Sequence, residues 1–295
     1  MTWAKDIIAV DWGTTNRRFY RINAEGKCEA SFEDALGILA VPPGGFPAAV
    51  AEIRARLGDH PMLLAGMVGS NRGWIEVPYV ACPARIDDLS AHLGWAESGR
   101  TAIVPGLSLH GDGEADVMRG EEVQLFGAGI AGLIGRDALV CHPGTHNKWV
   151  AVEAGGIAEF RTVMTGEMFN LLRGGGILSD LLQAEVVDGE AFAAVVKRSL
   201  AGGILTADLF SARARVLLGE LAHGDAASYT SGLLIGADLT LGRTLPRLGE
   251  TVIMGRPELT HLYASAAAHA GMSVREVDGA EAFVAGATFI ARSIR

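Results

Sequence analysis

Two stretches of this chain share one pattern of apolar and polar positions. In "AVDWGTTNRRFYRI", residues 9–22, an apolar run gives way to a small polar turn and then to a second, alternating run. In "LVCHPGTHNKWVAV", residues 139–152, the same order returns. Gly13-Thr14-Thr15-Asn16-Arg17 lines up with Gly144-Thr145-His146-Asn147-Lys148. An apolar run that ends in Gly, Thr and Asn predicts a strand entering a tight turn. The pattern predicts a strand over Ile7 to Val10, its return over Arg17 to Ile22, and a third strand through "EGKCEASFEDA". It predicts a second meander over "ALVCHP", "KWVAVEA" and "IAEFRTVMTG".

Helical spacing appears between and beyond these meanders. "FPAAVAEIRARLGD" (46–59) has Pro47 suited to a first turn and Gly58 to a stop. "MLLAGMVGS" (62–70) reads as a buried strand feeding a loop, "ARIDDLSAHLG" as a helix, and "TAIVPGLSL" (101–109) as a strand up to a Pro-Gly turn. "MRGEEVQLFGAGIAGLIG" (118–135) predicts a helix rich in small residues, and helical segments fill most of 166–248. "ETVIMGRPELTHLYASAAAHAG" (250–271) predicts a strand, a glycine turn and a helix. A strand near "MSVREV" then leads to the helix "AEAFVAGATFIAR". Strands alternate with helices, so the fold class expected is α/β. No linker is low-complexity or strongly charged, which predicts two closely packed halves, 1–137 and 138–295.

Composition narrows the partners. A hydrophobic fraction of 49% with 20% charged residues describes a globular protein with a real core. The net charge of −9 argues against nucleic acid or an anionic membrane surface, while leaving room for a small anion held by local cations and amides. Cys28, Cys82 and Cys141 show neither CxxC nor metal-ligand spacing, as expected of thiols in a reducing cytoplasm. "MTWAKDIIAV" lacks the apolar stretch of a signal peptide, and no uncharged apolar run reaches about 18 residues. A cytoplasmic protein with no membrane span is the expectation.

The repeated turn suggests a chemistry. A tight hairpin of Gly, Thr and Asn can aim backbone amides and hydroxyls at an anion, because no Cβ blocks the approach. Two such hairpins, one per half, can grip the phosphates of one nucleotide. The plainer alternative is a pair of ordinary turns, which favour the same residues. Gly13, Thr14, Thr15 and Asn16 form the first candidate phosphate site; Gly144, Thr145, His146 and Lys148 form the second. Asp11, at the strand end before the first turn, is placed to hold Mg²⁺ through water. Two rival nucleotide motifs fail: there is no GxxxxGK[ST], no GxGxxG follows a strand, and "LRGGGILSD" (172–180) lacks the Lys-Ser/Thr of a P-loop. His142 and His146 flank the second turn without a third ligand at metal spacing, so turn hydrogen bonding is the expectation for them.

Asp11-Trp12-Gly13-Thr14-Thr15-Asn16 resembles the first phosphate motif of the actin/hexokinase/heat-shock-ATPase superfamily, and "HPGTHNKW" resembles its second. Gly255 in "VIMGRPELTHLYASAA" falls where that superfamily's adenosine turn would be, with Arg256 in place of another glycine. More narrowly, "AGMVGSNRGWIEVPYVACPA", "IVPGL", "DVMRGEEVQLFG", "PGTHNKWV", "FRTVMTGEMFNLL" and "SGLLIGADL" resemble 2-dehydro-3-deoxygalactonokinases, in the same order along nearly the whole chain. "NRGW" (71–74) departs from the Arg-Gln-Gly-Trp expected there. The resemblance implies a two-lobed actin-like ATPase fold of duplicated ribonuclease H-like domains, with a nucleotide cleft between the lobes. It implies ATP-dependent phosphorylation of 2-keto-3-deoxygalactonate on its terminal hydroxyl, with ATP and Mg²⁺ required.

Phosphoryl transfer needs phosphate charge neutralised, a metal, and a carboxylate to take the hydroxyl proton. The paired turns with Lys148, then Asp11, then Asp116, Glu121 and Glu122 offer these in turn. Related sugar kinases place the base at a helix start before the second phosphate motif. Glu121, directly after Gly120, is therefore the expected base, with Glu122 and then Asp116 behind it. An acid sugar also needs a cation, and "GSNRGW" offers Arg72, with Gly69, Ser70 and Trp74 beside it. Arg18 either faces the same site or forms a strand's polar face, and Met164 and Phe169 are expected in the core. The alternatives are a kinase for another sugar on this scaffold, or a nucleotide-dependent regulatory protein. Galactonate against gluconate stereochemistry is left open, as is assembly into a homo-oligomer.

Overall fold

The computed structural model describes residues 3–111, 114–245 and 249–294. In chain order the strands and helices are β1 (Ile7–Trp12), β2 (Arg17–Ile22), β3 (Cys28–Asp34), α1 (Phe46–Leu57), β4 (Met62–Gly66), β5 (Val80–Ala81), α2 (Ile86–Ala91), β6 (Gly94–Glu97), β7 (Thr101–Ile103), β8 (Leu107–Gly111), β9 (Glu114–Met118) and α3 (Glu121–Ile130). They continue with β10 (Ala138–His142), β11 (Asn147–Glu153), β12 (Gly156–Val163), α4 (Thr165–Gly174), α5 (Glu190–Leu200), α6 (Leu205–Leu217), α7 (Ala226–Gly242), β13 (Glu250–Gly255), α8 (Pro257–His269), β14 (Arg275–Asp278) and α9 (Gly279–Ser293).

Two sheets repeat one plan. Among the described residues, the first has the order β3-β2-β1-β4-β7-β6 and the second β12-β11-β10-β13-β14. In the first, β1 runs antiparallel to β2 and parallel to β4, and β4 parallel to β7. In the second, β10 runs parallel to β13 and β13 to β14. Each sheet thus has a meander at one edge and parallel strands beyond it; in the first, β6 closes the far edge antiparallel to β7. A small sheet, β5-β8-β9, completes the set.

The cores follow from strand alternation. Ile8, Val10, Trp12 and Phe19 point to one face of the first sheet and are buried with Val50, Ile53 and Leu57 of α1. Tyr20 lies on the other face, against Phe283 of α9. In the second sheet Leu139, Cys141, Trp149 and Ile253 are buried with Phe192 and Val196 of α5, Leu239 of α7 and Tyr263 of α8.

The chain divides into two compact units, and the path is less simple than a break near residue 137. The residues up to Arg136 are joined by Val152–Glu159 and by those from Gly279 onward; Asp137–Ala151 and Phe160–Asp278 form the second unit. The terminal helix α9 therefore completes the first unit instead of ending the second. Small residues explain the docking: a Cβ on Gly127 of α3 would come 1.9 Å from the Ala282 carbonyl of α9, and one on Gly286 2.1 Å from the Val123 carbonyl.

Two other expected elements differ in detail. The 118–135 helix begins only at Glu121, because Gly120 takes φ +113°, a conformation outside the helix. The 101–109 run splits at Pro105-Gly106 into β7 and β8, which join different sheets. Residues 246–248, at the end of the expected helical stretch, lie outside the described residues. Among the described residues, no helix is long and apolar enough to cross a membrane.

Candidate active site

The first repeated turn closes β1 onto β2, with Trp12 opposite Arg17 and Asp11 opposite Arg18. Its carbonyls are engaged from one side. Ile38 N–H donates to Gly13 O, Leu39 N–H to Thr14 O and Gly37 N–H to Thr15 O. Among the described residues, no hydrogen bond takes up the amides of Thr14 and Thr15, and both residues are exposed. A turn with its carbonyls turned inward leaves its N–H groups for an anion.

Arg17, the cation that ends the motif, does not join this surface. It is buried, with Nε and Nη2 donating to Asp34 at 2.8 and 3.1 Å, and its guanidinium lies over Trp12 and Phe19. Arg18 pairs with Glu33 on the neighbouring strand at 3.1 Å.

The second turn repeats the arrangement with a stronger anchor. Thr145 O accepts from Glu167 N–H at the start of α4, and His146 Nε2 sits 2.6 Å from Glu167 Oε2. Gly144 N–H donates to Asn147 Oδ1 at 2.7 Å. Asn147 Nδ2 in turn donates to the buried Asp238 of α7, which also accepts from Thr165, Trp149 and Tyr263. Burial pushes the Asp238 carboxyl above its ordinary range, and these four hydrogen bonds oppose that shift. Lys148 is buried as well. Gly255 ends β13 beside Pro143 of this turn, and Arg256 precedes α8.

Asp11, Gly66 and Gly120 converge in the first unit. A Cβ on Gly120 would lie 3.1 Å from Gly66 Cα and 3.8 Å from Asp11 Oδ1, so bare backbone lets the start of α3 approach the end of β1. Glu121 is partly exposed, and its Oε2 accepts the Arg119 N–H at 3.1 Å. Glu122 is 0% exposed; its Oε2 accepts the Gly120 N–H at 2.6 Å, and Oε1 has no hydrogen-bond partner. Burial, with Glu121 alongside, pushes the Glu122 carboxyl up to about 8, so it holds its proton at neutral pH. Asp116 lies on β9 rather than on the helix, opposite Leu109 of β8.

The loop after β4 carries the remaining expected residues. The Ser70 hydroxyl donates to Met67 O at 2.7 Å and accepts the Arg72 N–H, so it braces the loop. Arg72 is exposed and lines a recess of about 330 Å³ with Pro42, Phe46 and Trp74, whose ring stacks on Phe46.

The family model for 2-keto-3-deoxy-galactonokinase matches residues 11–290. The chain belongs to this family. The family's 2-dehydro-3-deoxygalactonokinase of Escherichia coli K12 is 35% identical over 291 residues, 97% of this chain and 98% of that protein. A crystal structure from Sinorhizobium meliloti, assigned to the same family activity, superposes with a TM-score of 0.90 at 34% identity, covering 98% of this chain and 99% of that one. The activator of 2-hydroxyisocaproyl-CoA dehydratase from Clostridium difficile, solved with ADPNP, matches at a TM-score of 0.53 and 10% identity over 97% of this chain and 94% of that one. That last likeness concerns fold alone. This galactonokinase family member is a sugar-acid kinase with the actin-like ATPase fold.

Two functional candidates carry little signal in the sequence. Asp238 is an acid in an otherwise apolar helix, "SGLLIGADL", and that isolation was its signal. Arg119, in "DVMRGEE", had no signal beyond its position between a strand and a helix.

Proposed function

We propose that the protein transfers the γ-phosphoryl group of ATP to the terminal (C6) hydroxyl of 2-dehydro-3-deoxy-D-galactonate, in galactonate breakdown. The observation that carries this reading is the duplicated strand–turn–strand unit, with three carbonyls of the first turn and the Thr145 carbonyl of the second taken up by neighbouring N–H groups, in a chain of the 2-keto-3-deoxy-galactonokinase family. In this reading Thr14, Thr15 and Asn16 bind phosphate from the first unit, and Gly144, Thr145, His146 and Lys148 from the second. Gly255 and Arg256 meet the adenosine. The first unit holds the sugar acid through Gly69, Ser70, Arg72 and Trp74.

Asp11 suits Mg²⁺ chemically. That ion binds through one or two carboxylates, keeps several waters and takes its remaining ligands from substrate phosphates, and Asp11 lies at a strand end beside bare glycine backbone. Mg²⁺ bound there would neutralise charge on the phosphate oxygens.

Glu121 takes the proton from the sugar's hydroxyl as its oxygen forms the bond to the γ-phosphorus and the bond to the β-phosphate oxygen breaks, releasing ADP. Glu122, which keeps its own proton, holds the Gly120 amide and fixes where Glu121 starts. Excluding water from the bound ATP would suppress its hydrolysis. ATP and a soluble sugar acid meet in the cytoplasm, the compartment this reading assigns.

A coupled ADP-release assay with ATP and Mg²⁺, run against the galactonate- and gluconate-derived 2-keto-3-deoxy acids and neutral hexoses, tests the proposal. The galactonate-derived acid is expected to give the highest kcat/KM. ADP release no faster with any acid than without one would overturn it.

A further inference from the structure

Arg119 joins β9 to α3 and is only 9% exposed. Its guanidinium carbon lies 4.2 Å from the centre of the Tyr79 ring, and Nη2 donates to the Val77 carbonyl at 2.7 Å. Nη1 abuts Gly69, where an added Cβ would come within 3.0 Å of it. Nε and Nη1 are both buried without a hydrogen-bond partner, and among the described residues no carboxylate forms an ion pair with Arg119. Glu122 feels its charge but directs its carboxyl to the Gly120 N–H instead.

This is a costly arrangement for the protein alone. A guanidinium stays charged at any working pH, and a buried charge with open donors is a strong penalty unless something pairs with it. Stacking on Tyr79 occupies the flat face of the group and leaves its edges. Nη2 has two hydrogens and gives one to Val77. Whichever it gives, the other stands parallel to an N–H of Nη1 or of Nε, so one two-pronged edge remains. That edge matches a carboxylate.

We infer that Arg119 grips the carboxylate of the 2-keto acid, and that the Gly69–Val77 segment covering it parts to admit that group. The inference rests on the sugar-acid kinase reading and deepens it. The segment is closed over the guanidinium by Val77 N–H donating to Gly69 O at 3.0 Å. Arg72, by contrast, is solvated at the rim of its recess, where charge pairing is weak. Arg119 also directly precedes Gly120, which touches the Asp11 side of the site. The acid end and the reacting end of the substrate would then be referred to one strand-to-helix junction.

The test compares the 2-keto-3-deoxy acid with its matching 3-deoxy-2-ketose, in which a hydroxymethyl group replaces the carboxylate. Wild type, Arg119→Met, Arg119→Lys and Arg72→Ala are assayed for kcat/KM on both, for KM of ATP, and for thermal unfolding. Arg119→Met is expected to lower kcat/KM for the acid about 100-fold and for the ketose by less than about threefold, because only the charge-assisted pair is lost. Arg119→Lys, which keeps the charge but not the fork, should fall between, with KM for ATP unmoved. Arg72→Ala should lower the acid's value by less than about tenfold. If Arg119→Met does not fold, the ratio of acid to ketose in Arg119→Lys decides.

Equal losses on acid and ketose would mean that Arg119 only supports the fold, and would overturn the inference. So would an acid preference erased by Arg72→Ala alone. A wild type that phosphorylates no 2-keto-3-deoxy acid would overturn the kinase reading and this inference together.

Discussion

Asn147 faces two ways: its Nδ2 donates to the buried Asp238 carboxylate at 2.5 Å, and its Oδ1 accepts the Gly144 N–H at 2.7 Å. The two contacts fix the orientation of the amide, since only a donor suits the carboxylate and only an acceptor suits the N–H. A single side chain thereby ties the second repeated turn to α7. Through Thr165, the same carboxylate ties down the start of α4, which braces the turn from its other side.

Removing that carboxylate should therefore loosen the turn as well as the core. Asp238→Ala leaves three buried donors, those of Trp149, Thr165 and Tyr263, without an acceptor and is expected to lower stability by about 3–5 kcal/mol, read by urea unfolding. Asn147→Leu should raise KM for ATP about tenfold or more, while Trp149→Phe, which touches only the other carboxylate oxygen, should leave that KM near normal. Similar KM changes in both variants would assign the network to packing alone.

Glu122 makes stability depend on pH in a defined window. Its carboxyl titrates near 8 in the folded protein against an ordinary value of 4.5, so the folded state holds the extra proton between those limits. The stabilisation from this proton is complete below about 4.5 and is lost as pH rises through about 8. Glu122→Gln can still accept the Gly120 N–H and never ionises. Calorimetric melting should show the variant gaining on wild type between pH 5 and pH 8.5. Parallel Tm curves would contradict the buried, proton-holding state.

Glu121→Gln removes the proposed base with little change of shape. It is expected to lower kcat about 100-fold or more with near-normal ATP binding. Glu122→Gln should keep more of its kcat, since a protonated carboxyl accepts no proton. A variant pair ranked the other way, in single-turnover assays, would move the base to Glu122.

Gly286→Ala places a methyl group where the Val123 carbonyl lies 2.1 Å away. Backbone cannot yield cheaply there, so a loss of about 2–3 kcal/mol is expected by chemical denaturation. A change below about 0.5 kcal/mol, the usual range for a neutral surface position, would show that α3 and α9 separate easily.

Much of the fold was legible because both meanders write alternation and turn residues into consecutive positions. Ile8, Val10 and Trp12 face one core as their spacing requires, and "GTTN" and "GTHN" close hairpins. The start of α3 was misplaced because helical spacing in 118–135 says nothing of φ, and Gly120 takes a conformation that only its neighbours Gly66 and Asp11 explain. The attachment of α9 was illegible for a similar reason: Gly127 and Gly286 look like weak helix positions until they are seen against each other. Among candidate site residues, the turns and Glu121 stand in local motifs. Arg119, Tyr79 and Val77 are brought together only by the folded loop, and the four partners of Asp238 are scattered from Asn147 to Tyr263.

The docking of α9 on α3 also sets a timetable for a chain made from one end. The stretch from Asp137 to Asp278, apart from Val152–Glu159, belongs to the other unit, so α3 leaves the ribosome long before its partner does. At about 5–20 residues per second, translating that stretch takes roughly 7–30 s. Throughout that interval the glycine-notched face of α3 waits for the helix that packs against it. Newborn copies of the first unit must be kept from sticking to one another until the last helix arrives.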